Sequence, residues 1–409
     1  MKQSFKGRFA AATFGLSFIV FLSGCATVRH PVPPELVEQA RIGDMDDVRV
    51  IVGESNTMLQ INLLESVKQE RPEDFPASFI GVKTYPVLAI SGGGANGAYG
   101  AGLLKGWSQE GSRPVFKVVT GVSTGALIAP FAFLGKEYDN ELEKYYTTMS
   151  TKDVMARRFP GTALFSDSFV SNRPLARTIE RLVTREILKK IAAEHRRGRR
   201  LFVGTANLDA QRFVVWDMGA IALRGDIGLF RKVLLASAAI PVIFPPEVFR
   251  VQVNGMQYDE LHADGGTMTQ VFTIAKLLDG MESAAKFMKI DPSKIKSKLY
   301  LIRNGYVSPT YKKVKDDLSS LAARSFDTII DAQGLGDTYR IYTFTKKRGN
   351  DYNLAFIPSD FKMANKEMFD PKEMRRLFDR GYADAIAGYK WHKSPPGLEA
   401  DEKDKTGEV

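Results

Sequence analysis

The stretch Val87–Gly125 reads VLAISGGGANGAYGAGLLKGWSQEGSRPVFKVVTGVSTG, and its reading decides the fold. Two apolar runs, Val87–Ile90 and Phe116–Thr120, each lead into a glycine-rich loop and then into a helix-like stretch. The first loop is SGGGANG, Ser91 to Gly97; the second is GVSTG, with Ser123 at its centre. Strand, loop and helix in direct succession, twice, predict parallel α/β units. Three consecutive glycines leave backbone N–H groups uncovered, so the first loop can turn them toward an anion. In G-x-S-x-G the serine sits on a sharp strand-to-helix turn, and Gly121 and Gly125 supply clearance for it. Together the loops suggest acyl transfer by a serine nucleophile with an oxyanion hole.

The spacing Gly92, Gly94, Gly97 also fits G-x-G-x-x-G, which makes a dinucleotide fold the rival reading. That fold needs an acidic residue about 20 residues on, at the end of a second strand. Glu110 has the spacing, but WSQEGSRP around it reads as helix end and turn.

A serine nucleophile needs a base. The chain has four histidines, His30, His195, His262 and His392. Only His262 lies near a loop after a strand, two residues before Asp264-Gly265-Gly266. An aspartate followed by two glycines can hold its carboxylate in a cleft at a tight turn, although such a triplet is also an ordinary turn. Asn254-Gly255 upstream marks a hairpin.

The glycine-rich loop, G-x-S-x-G and D-G-G, in that order, resemble the patatin-like phospholipase family. ASAAIPVIFPP (Ala236–Pro246) and GTANLDAQRFVVWDMG resemble further segments of it, and the likeness covers roughly residues 85–275 well and 295–390 weakly. The resemblance implies an α/β fold of three layers, α/β/α, around a central, mostly parallel sheet. It implies a Ser–Asp dyad, with Ser123 as nucleophile and Asp264 as base, and an oxyanion hole of backbone N–H groups at Gly92, Gly93 and Gly94. His262 stays open as a base from the residues alone. The family's first loop usually carries an arginine where this chain has Asn96, and an asparagine follows its D-G-G where Gln270 stands here. No metal or cofactor is implied.

The implied activity is a membrane-anchored serine hydrolase of lipid carboxylic esters working through an acyl-enzyme. A catalytically weak lipid-binding or acyl-transfer protein of the same fold is the alternative, for which Asn96 leaves room. Residues 1–24 read as a lipoprotein signal peptide: Lys2, Lys6 and Arg8 precede the apolar run Phe9–Gly24, and Leu22-Ser23-Gly24-Cys25 matches a lipobox. Cys25, the single cysteine, is the expected lipidation site, and Ala26 after it favours the outer membrane of a Gram-negative envelope. Residues 25–80 are expected to be a tether with a short packed segment, 81–392 the catalytic domain, and 393–409 a disordered tail.

The net charge is +10, and the leader supplies three of the positive charges. The densest cluster, Arg185–Arg200, reads as a solvated helix face, with docking on anionic headgroups as the functional alternative. Lipid is the expected partner, and export argues against nucleic acid. Further helices are expected over Thr57–Gln69, Pro174–Ala193, Ile227–Ala238 and Pro371–Tyr389.

Overall fold

The computed structural model describes residues 29–52, 57–157, 170–274, 286, 289–311, 313–364 and 367–398. The leader with Cys25 and the last eleven residues, 399–409, lie outside them.

Nine strands form the main sheet. They are β1 (Arg49–Ile51), β2 (Lys83–Ile90), β3 (Val118–Val122), β4 (Arg200–Asn207), β5 (Arg212–Asp217), β6 (Glu247–Val253), β7 (Met256–Asp264), β8 (Ile295–Arg303) and β9 (Asp351–Phe356). The central run β4-β3-β2-β8-β9 is parallel throughout. β5 adds antiparallel to β4, and β1 to β5. The hairpin β6–β7 joins through β7, which pairs antiparallel with β4 at Thr205↔Asp264. Its turn is the expected one: Asn254 and Gly255 both hold positive φ, 51° and 79°, as a two-residue hairpin turn demands.

Eight helices frame the sheet in this account: α1 (Thr57–Gln69), α2 (Gly97–Glu110), α3 (Thr124–Leu134), α4 (Arg173–Leu182), α5 (Arg185–Arg196), α6 (Ile227–Ser237), α7 (Leu318–Lys347) and α8 (Pro371–Ile386). Alternate residues of each strand face opposite sides, and the two sides bury separate cores. Leu88, Ile90, Val119, Leu201, Val203 and Ile302 pack with residues of α2, α3, α6 and α8. Val87, Ala89, Val118, Phe202, Leu299 and Leu301 pack with Leu59 and Leu63 of α1 and Ile341 of α7. This is the three-layer α/β/α arrangement with its mostly parallel centre.

Two expectations change, while the short packed segment expected within residues 25–80 takes the form of β1 and α1. β1 supplies the edge partner of β5, and the buried Arg200 guanidinium holds α1 through Asn62 and Gln69 (2.5 and 2.9 Å). The helix expected over 174–193 is two helices, because Thr184 caps a new one with its side chain accepting the Ile187 N–H at 3.3 Å. The basic cluster is only partly a solvated face. Arg199 and Arg200 are buried, and Arg199 donates to the carbonyls of Phe116 (2.7 Å) and Phe133 (2.5 Å).

Candidate active site

Parallel strands carry their sites at their carboxyl ends, and the two loops of the opening stretch meet there. β3 ends at Val122, and α3 begins at Thr124, so Ser123 must turn the chain alone. It does so at φ 55°, ψ −125°, a conformation that costs a non-glycine residue about 1–3 kcal/mol and recurs at functional sites. Packing holds the strain in place. A Cβ on Gly121 would strike the carbonyl of Gly125, and one on Gly125 would strike those of Ile90 and Ser91. The Ser123 N–H donates to Ser237 Oγ (3.0 Å), whose hydroxyl donates to the Gly204 carbonyl (2.7 Å).

Asp264 ends β7 beside this turn. Its Oδ1 accepts the Gly266 N–H at 2.7 Å, and its own N–H donates to the Ala239 carbonyl at 2.9 Å. Gly265 lets the turn close, since a Cβ there would meet the Gly204 carbonyl. Burial pushes the Asp264 carboxyl up to about 7, against the Ser123 hydroxyl and the Gly266 N–H, which favour the charged form. Oδ2 nonetheless has no hydrogen-bond partner of proper geometry among the described residues.

The first loop lies against the nucleophile: a Cβ on Gly92 would contact Cβ of Ser123 at 3.2 Å. Gly93 and Gly94 take positive φ, 150° and 55°. Among the described residues neither N–H has an acceptor, and Gly93 is exposed. Gly92 differs from the expectation that grouped it with them. Its N–H already donates to the Gln270 carbonyl at 3.0 Å, so it braces the loop and leaves Gly93 and Gly94 as the open donors.

Three side chains that shape this loop were not assigned that role from sequence. Asn304, just beyond β8, donates its N–H to Ser91 Oγ (2.8 Å) and its Nδ2 to the Ser91 carbonyl (3.0 Å). Its own carbonyl occupies the space a Cβ on Gly93 would need. Gln270 donates Nε2 to the Gly266 carbonyl at 3.1 Å and accepts the Gly92 N–H on its own carbonyl, so one residue touches both the glycine loop and the Asp264 turn. Asp337 of α7, buried, accepts the Gln270 N–H at 2.7 Å and pairs with Arg340 at 2.6 Å. Ser237 sat inside the ASAAIPVIFPP segment, a signal for the segment though not for its role. In that segment Phe244 is buried, while Val242 is exposed with φ 72°.

His262 is tied into a buried network. Its ring is fully buried, with Nδ1 2.8 Å from Thr205 Oγ1 and Nε2 3.1 Å from Glu260 Oε2. Arg49 pairs with the same Glu260, and Trp216 Nε1 donates to Thr205 at 2.8 Å. Both ring nitrogens are occupied. Among the described residues no group of three His, Cys, Asp or Glu side chains could hold a metal ion.

Residues 88–274, which hold the first loop, Ser123 and Asp264, match the patatin-like phospholipase family. The chain carries a patatin-like phospholipase domain. It is 40% identical over 79 residues to the cUMP-AMP-activated phospholipase of Escherichia coli, a stretch covering 17% of this chain and 24% of that relative. The structure of VipD from Legionella pneumophila aligns with a TM-score of 0.36 at 12% identity, over 76% of this chain and 69% of that one. Asn304 and Asp337 lie outside the matched residues, so the patatin-like domain draws part of its loop support from beyond its own span. No helix of the described residues is long and apolar enough to cross a membrane.

Proposed function

We propose that the chain is a serine lipid acyl hydrolase in which Ser123 and Asp264 form the catalytic dyad. The observation that carries this reading is the strained Ser123 between a buried carboxylate and two open backbone donors. In the ionised form Asp264 takes the Ser123 proton as Oγ attacks the ester carbonyl. Negative charge gathers on the carbonyl oxygen, where the Gly93 and Gly94 N–H groups receive it. Collapse breaks the ester C–O bond, and Asp264 returns the proton to the departing alcohol. Water, deprotonated by Asp264, then attacks the acyl-enzyme, frees the fatty acid and restores Ser123. The backbone donors do not depend on the arginine that Asn96 replaces.

The proposed substrates are phospholipids or related acyl esters, held near a membrane by lipidated Cys25 in the bacterial envelope, on the outer membrane. Ester release from phospholipid micelles by the parent chain, lost in both Ser123→Ala and Asp264→Asn, tests the dyad. Turnover that survives Ser123→Ala sinks it. Metabolic labelling with a palmitate analogue tests the anchor, which fails if label persists in Cys25→Ser.

A further inference from the structure

The second core, between the sheet and helices α1 and α7, is not filled. A cavity of about 540 Å³ opens there, walled by Leu63, Val87, Val118, Ile274, Leu299 and Phe344. Close-packed interiors leave few voids larger than a water molecule, whereas ligand sites are apolar clefts of about 300–1,000 Å³ with a few placed polar groups. Among the described residues the charge of the lining is one-sided: Lys117, Lys296, Lys347 and Arg348 contribute to it, and no carboxylate does. Lys117 is already neutralised, its Nζ 2.5 Å from Glu70 Oε2. Lys296 donates to the Arg348 carbonyl at 3.1 Å, which leaves its charge without an acidic partner among the described residues. Lys347 is exposed at the same mouth.

The cavity is remote from the chemistry. It lies along the amino-terminal halves of β2, β3 and β8, whereas Ser123 follows the carboxyl end of β3. Val118 in its wall and Ser123 are separated by five strand positions, roughly 16 Å. An acyl chain in the cavity therefore does not occupy the dyad.

We propose that this cavity is a second lipid site, taking a single-chain fatty carboxylate with its chain among the apolar walls and its head at Lys296 and Lys347. The chemistry of the cavity asks only for an apolar chain with an anionic end. That a fatty acid is the natural occupant rests on the hydrolase reading, whose acid product belongs to this class. The site also reaches the dyad through the backbone. Ile274 and Thr273 of its wall follow Gln270, and the intervening Phe272 carbonyl accepts the Thr120 hydroxyl at 2.6 Å. Product accumulation would thus be sensed on the segment that braces the glycine loop and the Asp264 turn.

The test is calorimetric titration of the full chain carrying Ser123→Ala with oleate below its micelle concentration. One saturable site is expected, weakened about tenfold or more by Lys296→Glu with Lys347→Glu. Leu63→Trp, which fills the cavity from α1, is expected to abolish it, and unchanged thermal midpoints show that the variants fold. Affinity unmoved by the charge reversal overturns the proposal. So does loss of oleate binding when Ser123 of the parent chain is capped by a phosphonate, since the ligand would then lie in the catalytic cleft. Binding is read without turnover, so absence of ester hydrolysis in the folded parent chain would sink the hydrolase reading and leave this result standing.

Discussion

β7 carries two buried polar centres two residues apart, and they are finished differently. At His262 each polar atom has a partner: Trp216 donates to Thr205, Thr205 faces Nδ1, Nε2 faces Glu260, and Glu260 is held by Arg49. Burial alone would raise the Glu260 carboxyl, yet His262 and Arg49 hold it down to about 2. Burial drives the His262 imidazole down as well, which keeps it neutral. At Asp264, among the described residues, one oxygen is satisfied and the other is not, and no cation relieves it. A completed network fixes structure, while a buried carboxylate left half-satisfied retains a proton affinity that it can use.

Substitutions at the two centres should therefore separate. Ser123→Ala is expected to lower ester turnover on the order of 10⁴-fold or more with little change in thermal midpoint; comparable turnover in the variant would mean the nucleophile lies elsewhere. Asp264→Asn should cost on the order of 10³-fold in kcat. It should also stabilise the protein above neutral pH. The folded carboxyl titrates near 7 and the unfolded one near 3.8, so the native state binds the extra proton between those values. Stability is then lost as pH rises from about 4 to about 7. Asparagine at 264 removes that loss, and a pH series of melting curves with the same slope in both proteins would contradict it.

Gly93→Ala is expected to reduce kcat by about 10- to 100-fold, because the new Cβ displaces the loop from the Asn304 carbonyl and moves an oxyanion donor. In the parent, kcat should climb with pH through about 7 as Asp264 ionises, and a flat profile between pH 5 and 8 would remove it as the base. The smallest effect on chemistry belongs to His262→Phe. Chemical denaturation should show a loss of about 3 kcal/mol from the broken network, while kcat of the folded fraction stays within about twofold. A collapse of kcat at preserved stability would reverse the contrast between the two centres.

How far the sequence reached follows the range of each interaction. The elbow, the glycine loop, the Asn254-Gly255 hairpin and the Asp264 turn are local, and their residues stand side by side in the chain. The choice between His262 and Asp264 was open from the residues alone, because both lie before the same glycines. What sets the two apart is that His262 has both ring nitrogens taken, by Glu260 on its own strand and by Thr205 from β4, with Arg49 of β1 holding Glu260. Asn304 and Asp337 have no local signature, since an asparagine after a strand and an aspartate inside a helix are ordinary until the loop they hold is known. Gly92 failed as an oxyanion donor for the same reason: its N–H is consumed by a carbonyl far along the chain. The burial of Arg199 and Arg200 was likewise hidden behind a run of positive charge.

The backbone contacts among Gly121, Gly125, Ile90 and Ser91 have a consequence for how the molecule can diversify. With no side chains between them, the two catalytic loops form a single block whose parts cannot be adjusted separately, so selection on substrate preference must act around it. The exposed Val242 turn, one strand-hairpin away from Asp264, is such a place: residues can be exchanged or inserted there without re-registering the machinery it borders.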